Sequence, residues 1–76
     1  MTKEEFNRIY NQAITDYETI DIYRKGQCLF NLFALELSGE DWFNNLIATD
    51  KDPFYDDANI NNFLTEIKKH LKWNRQ

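Results

Sequence analysis

The sequence contains few of the residues from which most catalytic and metal sites are built. It has one cysteine, one histidine and one serine, which excludes an internal disulfide and a cysteine-based zinc site. A nucleophile–base pair would need Cys28 and His70, and Cys28 lies in the most apolar stretch, where burial raises the pKa of a thiol. We therefore predict that the protein is not an enzyme and has no metal site and no cofactor.

Long hydrophobic runs are also absent. No apolar stretch approaches the ~20 residues that a membrane span needs, and residues 1–5 lack the basic-then-apolar pattern of a secretory signal. The expectation is a soluble, cytoplasmic protein with no membrane association. A helix-capping motif directly after Met1 further predicts that the chain begins at its natural start.

Aromatic and acidic residues are plentiful. The 76 residues include six Phe, four Tyr and two Trp, and the net charge is −4. Each ring removes ~150–250 Å² from water when it is buried, so the rings can close the core of one small domain, residues 1–76. The acidic balance argues against a general nucleic-acid binder, which must neutralise phosphates.

Apolar spacing predicts four helices and no strand. Thr2 and Glu5 form a capping box before helix one, about residues 3–18. Its apolar positions follow steps of 3 and 1, the period of one helix face: Phe6, Ile9, Tyr10, Ala13, Ile14 and Tyr17.

Helix two is predicted over about residues 22–38, with Asp21 as its cap. Gly26 inside this helix indicates close approach of another backbone, with helix one as the candidate. Gly39 after the helix suits a left-handed C′ position.

Helix three is predicted over about residues 40–48 and helix four over about 58–73. Pro53 breaks the chain between them, and Asp56 or Asp57 caps helix four. Four apolar residues should form the inner face of helix three: Trp42, Phe43, Leu46 and Ile47. The fold class is all-α, a compact bundle of three longer helices plus one short helix.

The most acidic segment spans residues 36–57, where seven carboxylates meet only Lys51. Solvated caps and turns explain part of it, and an acidic, aromatic-bearing face for a basic protein partner is the sharper interpretation. Within the segment we expect Phe54 to plug the bundle and Tyr55 to be exposed. The candidate partner-binding residues are Asp50, Asp52, Phe54, Tyr55, Asp56 and Asp57.

The polar residues in and near this segment also permit two other interpretations. The acidic spacing from Asp50 resembles a calcium loop, but an EF-hand requires an acid at position 5, Gly at 6 and Glu at 12, and this segment has none of them. Gln27 and Asn31, four residues apart on helix two, are predicted to hydrogen-bond the backbone of residues 49–57 as a polar lock or a shared site.

The basic end of the chain provides an alternative. Cations there complement the dipole of helix four, and Trp73 packs on the bundle under that interpretation. The same segment could instead hold nucleic-acid phosphates, with the indole stacking on a base; the residues concerned are Lys68, Lys69, Lys72, Trp73 and Arg75.

Three segments together resemble a group of short uncharacterised phage and bacterial proteins. They are residues 24–32, which include Gly-Gln-x-x-Phe-Asn, the string Asp-Pro-Phe-Tyr-Asp-Asp at residues 52–57, and residues 60–64. The resemblance covers roughly residues 20–73. It implies a small α-helical cytoplasmic protein of phage or mobile-element context, and it implies no activity.

The leading hypothesis is a non-enzymatic protein-binding module of phage or mobile-element origin that modulates a host or phage protein. The alternative is a nucleic-acid-binding accessory protein that uses residues 68–75. A homodimer formed through spare aromatic side chains is a further hypothesis.

Overall fold

The computed structural model describes residues 1–20 and 22–71. Over these residues the chain is all-α and contains no β-strand. The predicted bundle of three longer helices and one short helix is confirmed. The helices are α1 Lys3–Thr19, α2 Lys25–Leu37, α3 Asp41–Asn45 and α4 Ile60–Lys69. A 3₁₀ turn, Asp57–Asn59, leads into α4.

Two of the predicted caps are present as hydrogen bonds. The Glu5 amide donates to Thr2 Oγ1 at 3.2 Å and the Thr2 amide donates to Glu5 Oε1 at 2.9 Å, the reciprocal pair of a capping box. Asp56 accepts from the Ala58 amide at 2.9 Å and so begins the turn before α4. Both caps depend only on neighbours in sequence.

Three helix boundaries differ from the sequence prediction. Helix α2 starts at Lys25 rather than about 22, because Arg24 is its extended N-cap. Helix α3 ends at Asn45 rather than about 48, and Ala48 takes a left-handed φ of 66° soon after it. Gly39 does not adopt the predicted left-handed conformation, since neither glycine has positive φ. Helix α4 ends at Lys69 rather than about 73. Asp21, the predicted cap of helix two, lies outside the described residues.

One buried phenylalanine ring from each of the four helices contributes to the core. Phe33 of α2 lies 5.3 Å from Phe6 of α1 and 5.8 Å from Phe63 of α4, centroid to centroid. Phe43 of α3 lies 6.1 Å from Phe63. Such edge and tilted pairs add ~0.5–1.5 kcal/mol each beyond area burial. The helices are therefore joined through one aromatic cluster, and the loop between α3 and α4 lies at its margin.

Candidate functional site

Asp52 organises the loop between α3 and α4 from the inside. Its side chain is fully buried, with 0% exposure. One carboxylate oxygen accepts from the Ala48 amide at 2.7 Å, and the other accepts from the Phe54 amide at 2.9 Å. A buried carboxylate is tolerated when its oxygens are hydrogen-bonded in this way. Asp52, predicted to contact a partner, is instead a structural residue of the loop.

Arg24 at the start of α2 fastens this loop to the helix. Its guanidinium lies 2.8 Å from Asp57 Oδ1 and also donates to the carbonyl oxygen of Phe54. The Gly26 amide donates to the same Asp57 oxygen at 3.0 Å. Arg24, the N-cap of α2, and Gly26 within the helix therefore fix both ends of the Phe54–Asp57 turn.

Gly26 allows this contact because it has no side chain. A Cβ built at this position would lie 2.2 Å from the Pro53 carbonyl oxygen and 2.7 Å from Asp57 Oδ1. The close approach predicted for Gly26 is therefore present, but the neighbouring backbone is the loop and not helix one.

The predicted polar lock between α2 and the loop is made by other residues. Gln27 accepts a hydrogen bond from the Arg24 amide at 2.9 Å, which caps its own helix and does not reach residues 49–57. Asn31 is exposed. Arg24 reaches the loop instead, because its longer side chain extends from the N-cap position.

An apolar cleft of about 230 Å³ opens between this loop and α2. Ile47, predicted to face inward from helix three, is 42% exposed because α3 ends before it. Tyr55 is 68% exposed, as expected, and Phe54 lies partly buried against Phe30 at a ring distance of 5.7 Å. The lining residues are Phe30, Ile47, Asp52, Phe54 and Tyr55.

The predicted acidic residues separate into different environments around this cleft. Asp56 is exposed and adjoins Tyr55, while Asp57 is paired with Arg24. Asp50 is exposed but lines another groove, together with Lys51 and Glu66. Of the six candidate residues, the structure therefore brings together Asp52, Phe54 and Tyr55 in the lining of the cleft, and Asp56 follows Tyr55 as an exposed residue outside that lining.

A second groove of about 360 Å³ runs beside Trp42 and Glu66. The Trp42 ring stacks on His70 at 3.9 Å, nearly parallel. Glu66 lies within 3.2 Å of Lys51 Nζ, 3.5 Å of Lys69 Nζ and 3.4 Å of His70 Nε2. The hydrogen bond from Lys51 lowers the pKa of Glu66, and the neighbouring charges of Lys51 and Lys69 add to this effect.

The basic C-terminal segment is only partly described. Lys69 pairs with Glu66, and Lys68 Nζ lies 5.6 Å from the centroid of the Phe6 ring. Both lysines thus have contacts within the bundle. The other residues proposed for nucleic-acid binding, Lys72, Trp73 and Arg75, lie outside the described residues.

The two residues considered for a catalytic dyad have separate surroundings. Burial raises the pKa of the Cys28 thiol, and the carboxylates of Asp16 and Asp57 raise it further. His70 contacts Trp42 and Glu66 instead. Within residues 1–20 and 22–71, no group of three or more metal-ligating side chains is positioned to hold an ion. None of the described helices has the length and apolar character required to cross a bilayer.

Sequence reasoning missed the roles of Arg24, Phe30 and Ile47 at the cleft. Ile47 is predicted for the inner face of helix three, and only the early end of α3 exposes it. Arg24 contacts residues 30 and 33 positions further along the chain, so no local pattern reveals its role. Gly26 was the one available signal, since a helix-interior glycine indicates close backbone approach.

Comparisons with protein-family models, curated proteins and solved structures found no match.

Proposed function

We propose that the protein is a non-enzymatic binding module that recognises a protein partner through the cleft between α2 and the Phe54–Asp57 turn. The observation that carries the proposal is the pair of exposed apolar side chains, Ile47 and Tyr55, at the two sides of a cleft whose loop is fixed from within by buried Asp52. Exposed aromatics held in place beside a pocket are typical of interface hot spots.

The hydrogen bonds of the loop favour a binding role over a purely structural one, because they hold Tyr55 in an exposed position. Asp52 holds the amides on either side of it, and Arg24 fixes the Phe54 carbonyl. These contacts leave Tyr55 outside the core, where its ring contributes little to stability. An ordered loop that displays a large ring suits recognition, because little conformational entropy is lost on binding.

The resemblance to short phage and bacterial proteins implies a phage or mobile-element context, and in that context we propose that the module modulates a host or phage protein. One of the three segments that carry the resemblance, residues 52–57, contributes Asp52, Phe54 and Tyr55 to the lining of the cleft. We therefore take the cleft as the surface through which the modulation occurs.

Site-specific photocrosslinking in bacterial cells tests this proposal. A photoreactive phenylalanine analogue replaces Tyr55 in one version and Tyr17, an exposed aromatic of α1, in a matched control. We expect a discrete protein adduct at position 55 and none at position 17. Excess unlabelled wild type should compete for this adduct, and the Tyr55→Ala/Asp56→Ala double variant should not. Equal labelling at both positions, or none at 55, contradicts the proposal.

A further inference from the structure

We propose that the cleft takes a short peptide segment that inserts one bulky apolar side chain and places a Lys or Arg beside Asp56. This inference rests on the proposed function and specifies the chemistry of the partner.

The size of the cleft suits a single side chain. Its volume of about 230 Å³ is below the ~300–1,000 Å³ of ordinary small-molecule and cofactor pockets. Its lining is apolar except for Asp52, whose oxygens already accept hydrogen bonds from Ala48 and Phe54. An inserted apolar group therefore leaves no lining polar group without its partner, and it covers Phe30, Ile47 and the Tyr55 ring.

The walls of the cleft are held before any partner arrives. Ala48, next to Ile47, keeps a left-handed backbone at φ 66° while its amide donates to Asp52. On the other side, Asp52 and Arg24 fix the amide and the carbonyl of Phe54. Both walls are thus anchored through the same buried carboxylate, and preorganisation of this kind reduces the ordering cost of binding.

The acidic residues near the cleft favour a cationic residue of the peptide beside its inserted apolar side chain. Residues 47–58 carry four carboxylates and one lysine. Arg24 is paired with Asp57, and Lys51 is paired with Glu66. Asp56 remains exposed next to Tyr55, with one oxygen on the Ala58 amide. A Lys or Arg of the partner is therefore attracted at this rim and an acidic residue is repelled.

Three labelled peptides test the inference by fluorescence anisotropy. The first contains Lys-Phe-Arg between Gly-Ser flanks, the second replaces Phe by Ala, and the third replaces both cations by Glu. We expect the first to bind at least tenfold more tightly than either of the others. Its affinity should fall several-fold between 50 and 300 mM salt, because ions screen exposed pairs.

Variants of the protein test where the Lys-Phe-Arg peptide binds. Tyr55→Ala and Asp56→Asn should each weaken binding of the Lys-Phe-Arg peptide, about tenfold and threefold respectively. The matched controls Tyr17→Ala and Asp50→Asn should leave the affinity unchanged, because one lies on α1 and the other lines a different groove. Amide chemical-shift changes on adding peptide should centre on Ile47 and Tyr55.

The outcomes separate this inference from the proposed function. Equal binding of the Glu or Ala peptide, no binding of the Lys-Phe-Arg peptide at 1 mM, or shifts centred away from Ile47 and Tyr55 each overturn the peptide chemistry. A competed adduct at position 55 would still support a protein partner in those cases. Absence of that adduct contradicts the proposed function itself, whatever the peptides do.

Discussion

Asp52 and Glu66 are two carboxylates that the structure satisfies in different ways. Asp52 is fully buried and accepts from backbone amides of its own loop. Glu66 keeps 17% of its side chain exposed and is surrounded by the side chains of Lys51, Lys69 and His70. Backbone donors fix the course of the chain, whereas side-chain cations can rearrange around a lost partner. The Asp52 loop should therefore depend on its carboxylate far more than the Glu66 groove does.

The largest expected effect comes from Asp52→Ala. The substitution removes both acceptors, and each buried amide left unsatisfied costs about 1–3 kcal/mol, so we expect a loss of about 3 kcal/mol in the free energy of unfolding. Urea denaturation measures it. The control Asp50→Ala, an exposed acid of the same loop, should change stability by no more than about 0.5 kcal/mol. Equal losses of unfolding free energy for Asp52→Ala and Asp50→Ala would contradict the structural role of the buried carboxylate.

Gly26→Ala tests the contact between α2 and the same loop. Alanine favours a helix by about 1 kcal/mol over glycine, but its Cβ would lie 2.2 Å from a backbone oxygen, and overpacking costs about 1–3 kcal/mol. We expect a net loss of about 1–2 kcal/mol. Gly39→Ala is the matched control, because nothing lies within 4 Å of its Cβ. Thermal denaturation of both variants should show a lower Tm only for Gly26→Ala.

Glu66→Gln should cost only about 0.5–1 kcal/mol, because the partner side chains of Lys51 and Lys69 are 43% and 62% exposed, and ion pairs with solvent-exposed cations contribute little. The lowered pKa of Glu66 sets the sign of the pH dependence. A carboxyl whose pKa is lower in the folded state stabilises the fold above its unfolded pKa and loses that contribution as pH falls through the folded value. The stability difference between wild type and Glu66→Gln should therefore be present at pH 7, shrink as the pH falls below the ordinary glutamate pKa of about 4.3, and be lost in stronger acid. A difference that persists in acid would contradict this account.

The smallest effect, of opposite sign, is expected for Ala48→Gly. A left-handed conformation costs an L-residue about 1–2 kcal/mol, and the extra entropy of unfolded glycine offsets about 0.5–1 kcal/mol of that relief. The variant should gain about 0.5 kcal/mol in the free energy of unfolding. Ala58→Gly, a position with no such strain, should lose a comparable amount. Chemical denaturation of the two variants side by side shows whether the loop holds Ala48 under strain.

Local features of the fold could be read from the sequence, and contacts between distant segments could not. Thr2, Glu5 and Asp56 cap their helices through neighbours two or three positions away. The local sequence was therefore enough to predict these caps. The spacing of apolar residues likewise identified the four helices. The contact of Arg24 with Asp57 joins residues 33 positions apart, and nothing in either neighbourhood specifies it.

The geometry of the candidate site could be predicted only in part. The exposure of Tyr55 followed from a large ring in an Asp-rich turn. Asp52 shares that turn and the same chemistry as Asp56, yet one is buried and the other exposed. Composition treats such carboxylates alike, because only the path of the backbone decides which of them meets amide donors.

The span between Arg24 and Asp57 also bears on the order in which the molecule assembles. Closing a segment of 33 residues costs on the order of 3 kcal/mol of chain entropy before the contact contributes anything. The α1–α2 hairpin closes a shorter segment, so we expect it to form first and the cleft to form last. The same reasoning makes the cleft the first region to open in hydrogen exchange. A ligand seated there would slow exchange of the loop amides most.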